Sequence, residues 1–402
     1  MAKDVTQLGL RTKLSHLGRA DKTQHGFVNP PLLRGSTVLY PTVVERKRIA
    51  GMRGQRVMSY GTAGSATHWA LEDVIAEIEG GTHCTIVSTG LAAVTTPLLA
   101  FLKAGDHMLM PDSVYGPARA FAEGMLTRFG VETTFYNPVI DGPGLAKLMR
   151  PNTAVVYTES PGSHTFEVQD VPSLARVAHA AEAPGKIKVM MDNTWGIHHF
   201  QPFKHGVDVS IQAATKYPAG HSDILIGSIT VNSEADWQTL IAGSRSLGQY
   251  ASPDDCWLTL RGLRTMGVRL AQQEQSAIEV AQWLQTRSEV ARVLHPALPG
   301  APGHEIWKRD FTGACSLFGV EFQPSTSVES THAFVEALAL FGIGASWGGY
   351  ESLALPTTGF VTRTASHVFE GPLVRLHIGL EDVKDLIADL EQGLAVLRGF
   401  GR

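Results

Sequence analysis

Short apolar runs alternate with stretches of helical periodicity between residues 60 and 230, and this alternation organises the chain. Thr67 stands as a helix cap ahead of Leu71, Val74, Ile75 and Ile78, apolar residues at helical spacing, and Gly80-Gly81 stops the segment. Thr85-Ile86-Val87-Ser88 then reads as a strand, Thr89-Gly90 as a turn, and residues 91–102 as a helix. Further strands are expected at 107–110, 131–136, 154–158 and 189–191, with a helix over 172–183 whose proline falls in the tolerant first turn. The run 207–214 leads into Thr215-Lys216-Tyr217. Short apolar runs bounded by turn residues predict buried parallel strands. Their alternation with helices predicts an α/β fold, a largely parallel sheet covered by helices.

Outside this region the pattern changes. Residues 1–60 show little sustained periodicity and predict an extended arm with one short helix, lying on another subunit because it cannot bury itself. Residues 234–292 read as mainly helical, and 317–322 and 375–378 as strands of a second sheet. A terminal helix over 382–398 places Val383, Leu386, Ile387, Leu390, Leu394 and Leu397 on one face. The expected organisation is an arm (1–62), a large domain (63–262) and a smaller α/β carboxy-terminal domain (263–402), with a long helix crossing the second boundary.

Composition narrows the function. The 402 residues exceed one ordinary domain, and 44% hydrophobic with 18% charged residues is a globular balance. A net charge of −4 offers no basic field for nucleic acid or an anionic membrane. Cys84, Cys256 and Cys315 form neither a disulfide framework nor a zinc pattern, which fits a reducing, cytoplasmic setting. The polar amino terminus lacks a signal-peptide core, and no run of 18 apolar residues is present. His198-His199 would point to different sides of a strand and no HExxH spacing occurs, so no metal site is expected. The absence of G-x-G-x-x-G argues against a nicotinamide enzyme.

The candidate chemistry sits at strand ends, where ligands of open α/β sheets collect. Asp192 ends one apolar run and Lys216 follows another, a carboxylate and an amine 24 positions apart (192 to 216). Singly, each would be a turn cap and a solvated lysine. Together they suit pyridoxal phosphate: the lysine forms a Schiff base and the carboxylate holds the pyridine nitrogen protonated. The strand–glycine–helix junction at Gly90 and Leu91 offers backbone N–H groups to the phosphate. Tyr115, at another strand-to-helix junction, can stack its face on the pyridine ring or serve as a rim tyrosine.

The wording of these segments is more particular than their spacing. QAATKYPAGHSD, ESPGSHTFEVQD, RGLRTMGVRL, SWGGYESL and VRLHIGLED resemble the cystathionine β-lyase, γ-lyase and γ-synthase family of pyridoxal-phosphate enzymes over nearly the whole chain. The resemblance implies a fold-type I enzyme, a homotetramer built from dimers, and an amino-acid substrate of methionine biosynthesis. It implies Lys216 as the Schiff-base lysine, Asp192 as the ring-nitrogen partner and Tyr115 as the stacking residue near the reacting atoms. Gly90, Leu91 and the Thr215 hydroxyl match the phosphate site, and Arg375 the arginine that binds the substrate carboxylate. Ser346 and Trp347 would line the substrate side, and Tyr60 of the neighbouring subunit would complete each site. Trp347 and Pro117 place the chain on the β-elimination side, which yields a thiol, pyruvate and ammonia. The rivals are γ-elimination or γ-replacement, a β-lyase acting on cystine or another thioether, and a non-catalytic cofactor binder. Two positions depart from the pattern: Thr62 stands where relatives carry a phosphate-binding arginine, and Ala213 where many carry serine. Arg53 or Arg56 is the expected source of the missing charge.

Overall fold

The computed structural model describes residues 7–19, 26–52, 55–181, 185–366 and 369–399. Met1–Leu102 with Asp208–Gly267 form one unit, and Lys103–Val207 with Val268–Arg402 the other. One continuous helix, Pro253–Gln285, carries the chain from the first to the second.

In the first unit His83–Val87 pairs antiparallel with Gly227–Val231, which pairs antiparallel with Val209–Gln212. The pattern reading gave no strand at 227–231. Ile226, Ile229 and Val231 are fully buried there. The chain reverses within the Lys216 loop without a crossover helix, so this additional strand runs antiparallel to both of the neighbours just named. Helix Ala66–Glu79 ends at Gly80, whose φ of 75° is the left-handed cap that glycine adopts without strain. Its cap is Ser65, whose N–H donates to the His68 ring Nδ1 at 3.2 Å, not Thr67. Thr67 lies inside the first turn and fastens the arm: its hydroxyl donates to Pro31 O at 2.7 Å and accepts the Leu33 N–H at 2.9 Å. Among its described residues the arm holds two α-helices where one was expected, Leu10–His16 and Val43–Ala50, the latter capped by the Thr42 hydroxyl.

The second unit carries the parallel strands that the apolar runs predicted. Glu132–Tyr136, His107–Pro111, Thr153–Glu159 and Lys188–Asp192 pair in that order, with Glu159 opposite Asp192. A separate sheet runs in the order Gly342–Ile343, Leu353–Pro356, Leu373–His377, Leu317–Phe322, Val290–Leu294. Helix Val383–Gly399 lays Leu386, Leu390 and Leu394 into the core with Phe318, Phe322 and Phe334, as its 3.6-residue spacing requires. No helix among the described residues is long and apolar enough to cross a membrane.

Asp112, one residue beyond the His107–Pro111 strand, ties the loop 364–366 to the parallel sheet. It accepts from Arg119 Nη1 and from the N–H groups of Thr364 and Ala365, each at 2.9 Å, and from the Ser366 hydroxyl at 2.8 Å. Burial alone would raise its pKa, but these donors override it and hold the carboxyl at about 2. Because the folded pKa lies below the unfolded one, this stabilisation is present above about pH 4 and is lost as pH falls toward 2. Asp112→Ala leaves the buried Arg119 guanidinium only the half-exposed Glu123 as a carboxylate and leaves the donors of 364–366 unmet, and should destabilise the fold by about 3 kcal/mol. The measurement is the urea midpoint near pH 7, and the gap from wild type should narrow toward pH 2.

Candidate active site

In the second unit the chemistry gathers around the paired strand ends. Asp192 Oδ1 accepts from the Thr194 N–H at 3.0 Å and its hydroxyl at 2.6 Å. Glu159, its neighbour in register, is buried, and its Oε2 accepts the Tyr115 N–H at 2.8 Å. Burial, and then the charge of Asp192, push the Glu159 carboxyl well above the ordinary range, against hydrogen bonds from the Tyr115 and Ser163 backbone and the charge of Arg363. Two adjacent carboxylates cannot both ionise cheaply. Of the two, Glu159 is the one whose burial disfavours the charged form.

Tyr115 occupies the cap position of helix Gly116–Phe121 with its side chain 41% exposed. Partial burial raises its phenol pKa, Asp192 and Glu159 raise it further, and Arg375 opposes them. The group is therefore a neutral phenol at physiological pH. Arg375, in the Leu373–His377 strand opposite Gly319, is only 6% exposed. Its Nη2 donates to the carbonyls of Gly344, Ala345 and Ser346 at 3.2, 2.9 and 3.0 Å. Burial lowers the guanidinium to about 10, so it stays charged at neutral pH. Among the described residues no carboxylate pairs with it. A buried cation held only by carbonyl dipoles is suited to an anionic ligand. Ser346 is exposed and Trp347 half-buried on the same loop, pinned by the Gly348 N–H to His377 Nε2 at 3.1 Å.

The first unit holds the other expected residues. Helix Gly90–Phe101 begins where His83–Val87 ends, and the Thr89 hydroxyl accepts the Ala92 N–H at 3.0 Å. The first-turn N–H groups of Gly90 and Leu91 have no intrahelical acceptor. A Cβ on Gly90 would meet the Ala213 Cβ at 2.6 Å, so glycine is what lets the helix start approach the end of Val209–Gln212. Lys216 follows in a turn in which its own N–H bonds Ala213 O at 3.0 Å and its carbonyl accepts the Gly220 N–H at 2.8 Å. The Thr215 hydroxyl donates to Ile226 O at 3.0 Å and accepts the Ile226 N–H at 2.9 Å, which commits its proton to the backbone. Tyr60 is exposed in the arm. Arg56 is engaged by Asp73 and Glu72, while Arg53 lies outside the described residues.

Residues 11–395 match the model of the family described as Cys/Met metabolism PLP-dependent enzyme. This protein belongs to that family. It is an enzyme of the α/β, fold-type I class, and its cofactor is pyridoxal phosphate. It is 49% identical to a Rhizobium johnstonii protein provisionally named a cystathionine beta-lyase, across 96% of both chains. It is 42% identical to the cystathionine beta-lyase MetC of Escherichia coli, across 96% of this chain and 98% of that one. The crystal structure of metB from Corynebacterium glutamicum superposes with a TM-score of 0.89 at 28% identity, across 98% of this chain and 100% of that one. Taken unit by unit, the residues suit the group: anion-seeking N–H groups at a helix start and a lysine in the first unit, a carboxylate and an aromatic face in the second.

Pattern reasoning passed over Glu159, visible only as a strand end in ESPG; a carboxylate closing an apolar run was the available signal. Gly90→Ala should weaken cofactor binding about tenfold or more, because overpacking of this kind typically costs 1–3 kcal/mol. Visible absorbance after dialysis reads the loss, and an unchanged far-UV spectrum shows that the fold remains.

Proposed function

We propose that this enzyme is a carbon–sulfur β-lyase that converts L-cystathionine and water to homocysteine, pyruvate and ammonia. The observation that carries an amino-acid substrate is the buried Arg375 guanidinium without a carboxylate, within electrostatic reach of Tyr115. β-Elimination is supported by the relatives of 40–43% identity named cystathionine beta-lyase.

On this reading Lys216 holds the cofactor and Asp192 keeps its ring nitrogen protonated, with Gly90 and Leu91 on the phosphate. When bound, the cofactor supplies an electron sink for charge developing at the substrate α-carbon. Arg375 grips the substrate carboxylate and so sets which α-bond stands ready to break. Lys216 Nζ, which would hold the cofactor, would also take the α-proton as general base. Glu159 holds the Tyr115 backbone, and the neutral phenol of Tyr115 can stack or donate. Thr215, with its hydroxyl on Ile226, positions the lysine turn. Ser346 and Trp347 line the substrate side. The β-sulfur leaves as a thiol.

The assembly we infer is a cytoplasmic homotetramer, a dimer of dimers, with Tyr60 reaching the neighbour's site. Its support is the arm: Val43–Ala50 buries none of its residues, and Val43 and Val44 are 68% and 77% exposed.

Product analysis with L-cystathionine tests the reaction. Pyruvate with homocysteine is expected; oxobutyrate with cysteine would mean γ-elimination and overturn it. Lys216→Ala should lower kcat by about 10²–10⁴, the usual contribution of a general base, or more because the cofactor anchor goes too.

A further inference from the structure

A cavity of about 190 Å³ in the second unit is lined by Ser113, Val114, Gly116, Glu123, His164 and Arg363, among others. Val114 and Gly116 flank Tyr115, so the cavity adjoins the site described above. Its size is roughly ten times what a single water needs. Four buried polar atoms on its lining residues, Ser113 Oγ, His164 Nδ1 and Arg363 Nε and Nη1, have no hydrogen-bond partner among the described residues.

Arg363 is the unusual member. Its side chain is 2% exposed. Nη2 donates to Glu167 Oε1 at 2.7 Å and to the Thr165 hydroxyl. The remaining three of its five N–H donors, on Nε and Nη1, are unused. Leaving such donors buried and unpaired is expensive unless something else meets them. The loop is not free to take Arg363 elsewhere, because Asp112 clamps the next residues, Thr364 to Ser366. His164 lies within electrostatic reach of both Arg363 and Arg375, and burial with these two cations lowers it to about 4. It is therefore neutral and leaves the anion-binding capacity to the arginines. His164 O would also lie 3.0 Å from a Cβ on Gly319, the residue opposite Arg375 in the sheet. Arg375 and Arg363 thus flank one histidine, with Tyr115 attached to the same strand end.

We propose that this cavity is the subsite for the far end of a thioether substrate, with Arg363 binding that end's carboxylate. This rests on the β-lyase reading, under which the substrate carries an amino acid at each end. Arg375 takes the carboxylate beside the reacting carbon and Arg363 the one beyond the sulfur. Glu123, half exposed on the same cavity, already accepts from Arg119 Nε at 3.0 Å, and it adds negative charge on the side of the distal ammonium.

The test compares wild type, Arg363→Gln and Arg363→Lys on L-cystathionine and on β-chloro-L-alanine, which has one amino-acid end. A charged hydrogen bond lost to Gln should cost L-cystathionine about 10- to 100-fold more in kcat/KM than β-chloro-L-alanine, chiefly through KM. Lys should recover part of the difference. Equal losses on both substrates would make Arg363 a structural partner of Glu167 and overturn the inference while wild-type cleavage of L-cystathionine stands. Absence of that cleavage in wild type sinks the β-lyase reading, and the subsite with it. If the Gln protein fails to fold, the Lys protein carries the same comparison.

Discussion

Two carboxylates end neighbouring parallel strands in register, Glu159 beside Asp192. Strands in a sheet lie about 4.8 Å apart, so the pair is fixed at a distance where one charge excludes the other. The fold resolves the conflict by unequal burial: Glu159 is sealed against the Tyr115 backbone, and Asp192 receives two donors from Thr194. The outcome is a division of labour in which burial disfavours the charge on Glu159 and the Thr194 donors favour it on Asp192. Everything else in the second unit's site is arranged around that division. Tyr115 is seated by Glu159 and kept a phenol first by its partial burial and then by the carboxylates beside it.

Arg375 meets the complementary constraint. A guanidinium at this depth would ordinarily have a carboxylate partner, since an unpaired buried cation costs several kcal/mol. Here three consecutive carbonyls, from Gly344 to Ser346, take that place. Carbonyl dipoles stabilise the charge without neutralising it, which leaves attraction for an incoming carboxylate undiminished. The loop can present three carbonyls in one direction because Gly348, at φ 85°, turns the chain and its N–H is pinned on His377. Arg363 shows a partial version: one carboxylate, Glu167, meets part of its fork and the rest is left over.

How far the sequence was legible follows from what each residue depends on. The strands ending at Glu159 and Asp192 are buried along most of their length, so they appear as apolar runs, and Asp192 was legible as the end of one, as Lys216 was as the residue after the run 207–214. The return strand Gly227–Val231 was missed because Ser228 and Thr230 interrupt the run, although both are buried. Thr67 looked like a cap because its chemistry suits one; Ser65, two residues earlier, was closer to the change in backbone. Val43–Ala50 was missed because it buries nothing in its own chain and so lacks a one-sided apolar stripe. Arg56 was offered as a phosphate ligand because it is nearby and basic, but its partners, Glu72 and Asp73, lie 16 and 17 residues on and could not be paired by inspection. Arg363 carried no signal at all, since a buried arginine and a surface one read alike.

The two departures from the family pattern, Thr62 and Ala213, belong to one physical account of the proposed phosphate turn. A phosphate can be held by side-chain charge or by the ordered N–H groups of a helix start, whose positive end is fixed in place by the backbone. Ala213 offers no hydroxyl, yet its methyl lies only 2.6 Å from where a Cβ on Gly90 would be, so strand end and helix start approach more closely than two side chains would permit. Thr215 adds rigidity rather than a free proton, because both roles of its hydroxyl are used on Ile226. The turn between them is therefore defined by backbone contacts from Thr89 through Ile226. A cradle of that kind is less dependent on any single cation, which is how the chain can carry threonine at position 62 and still be built around the same group.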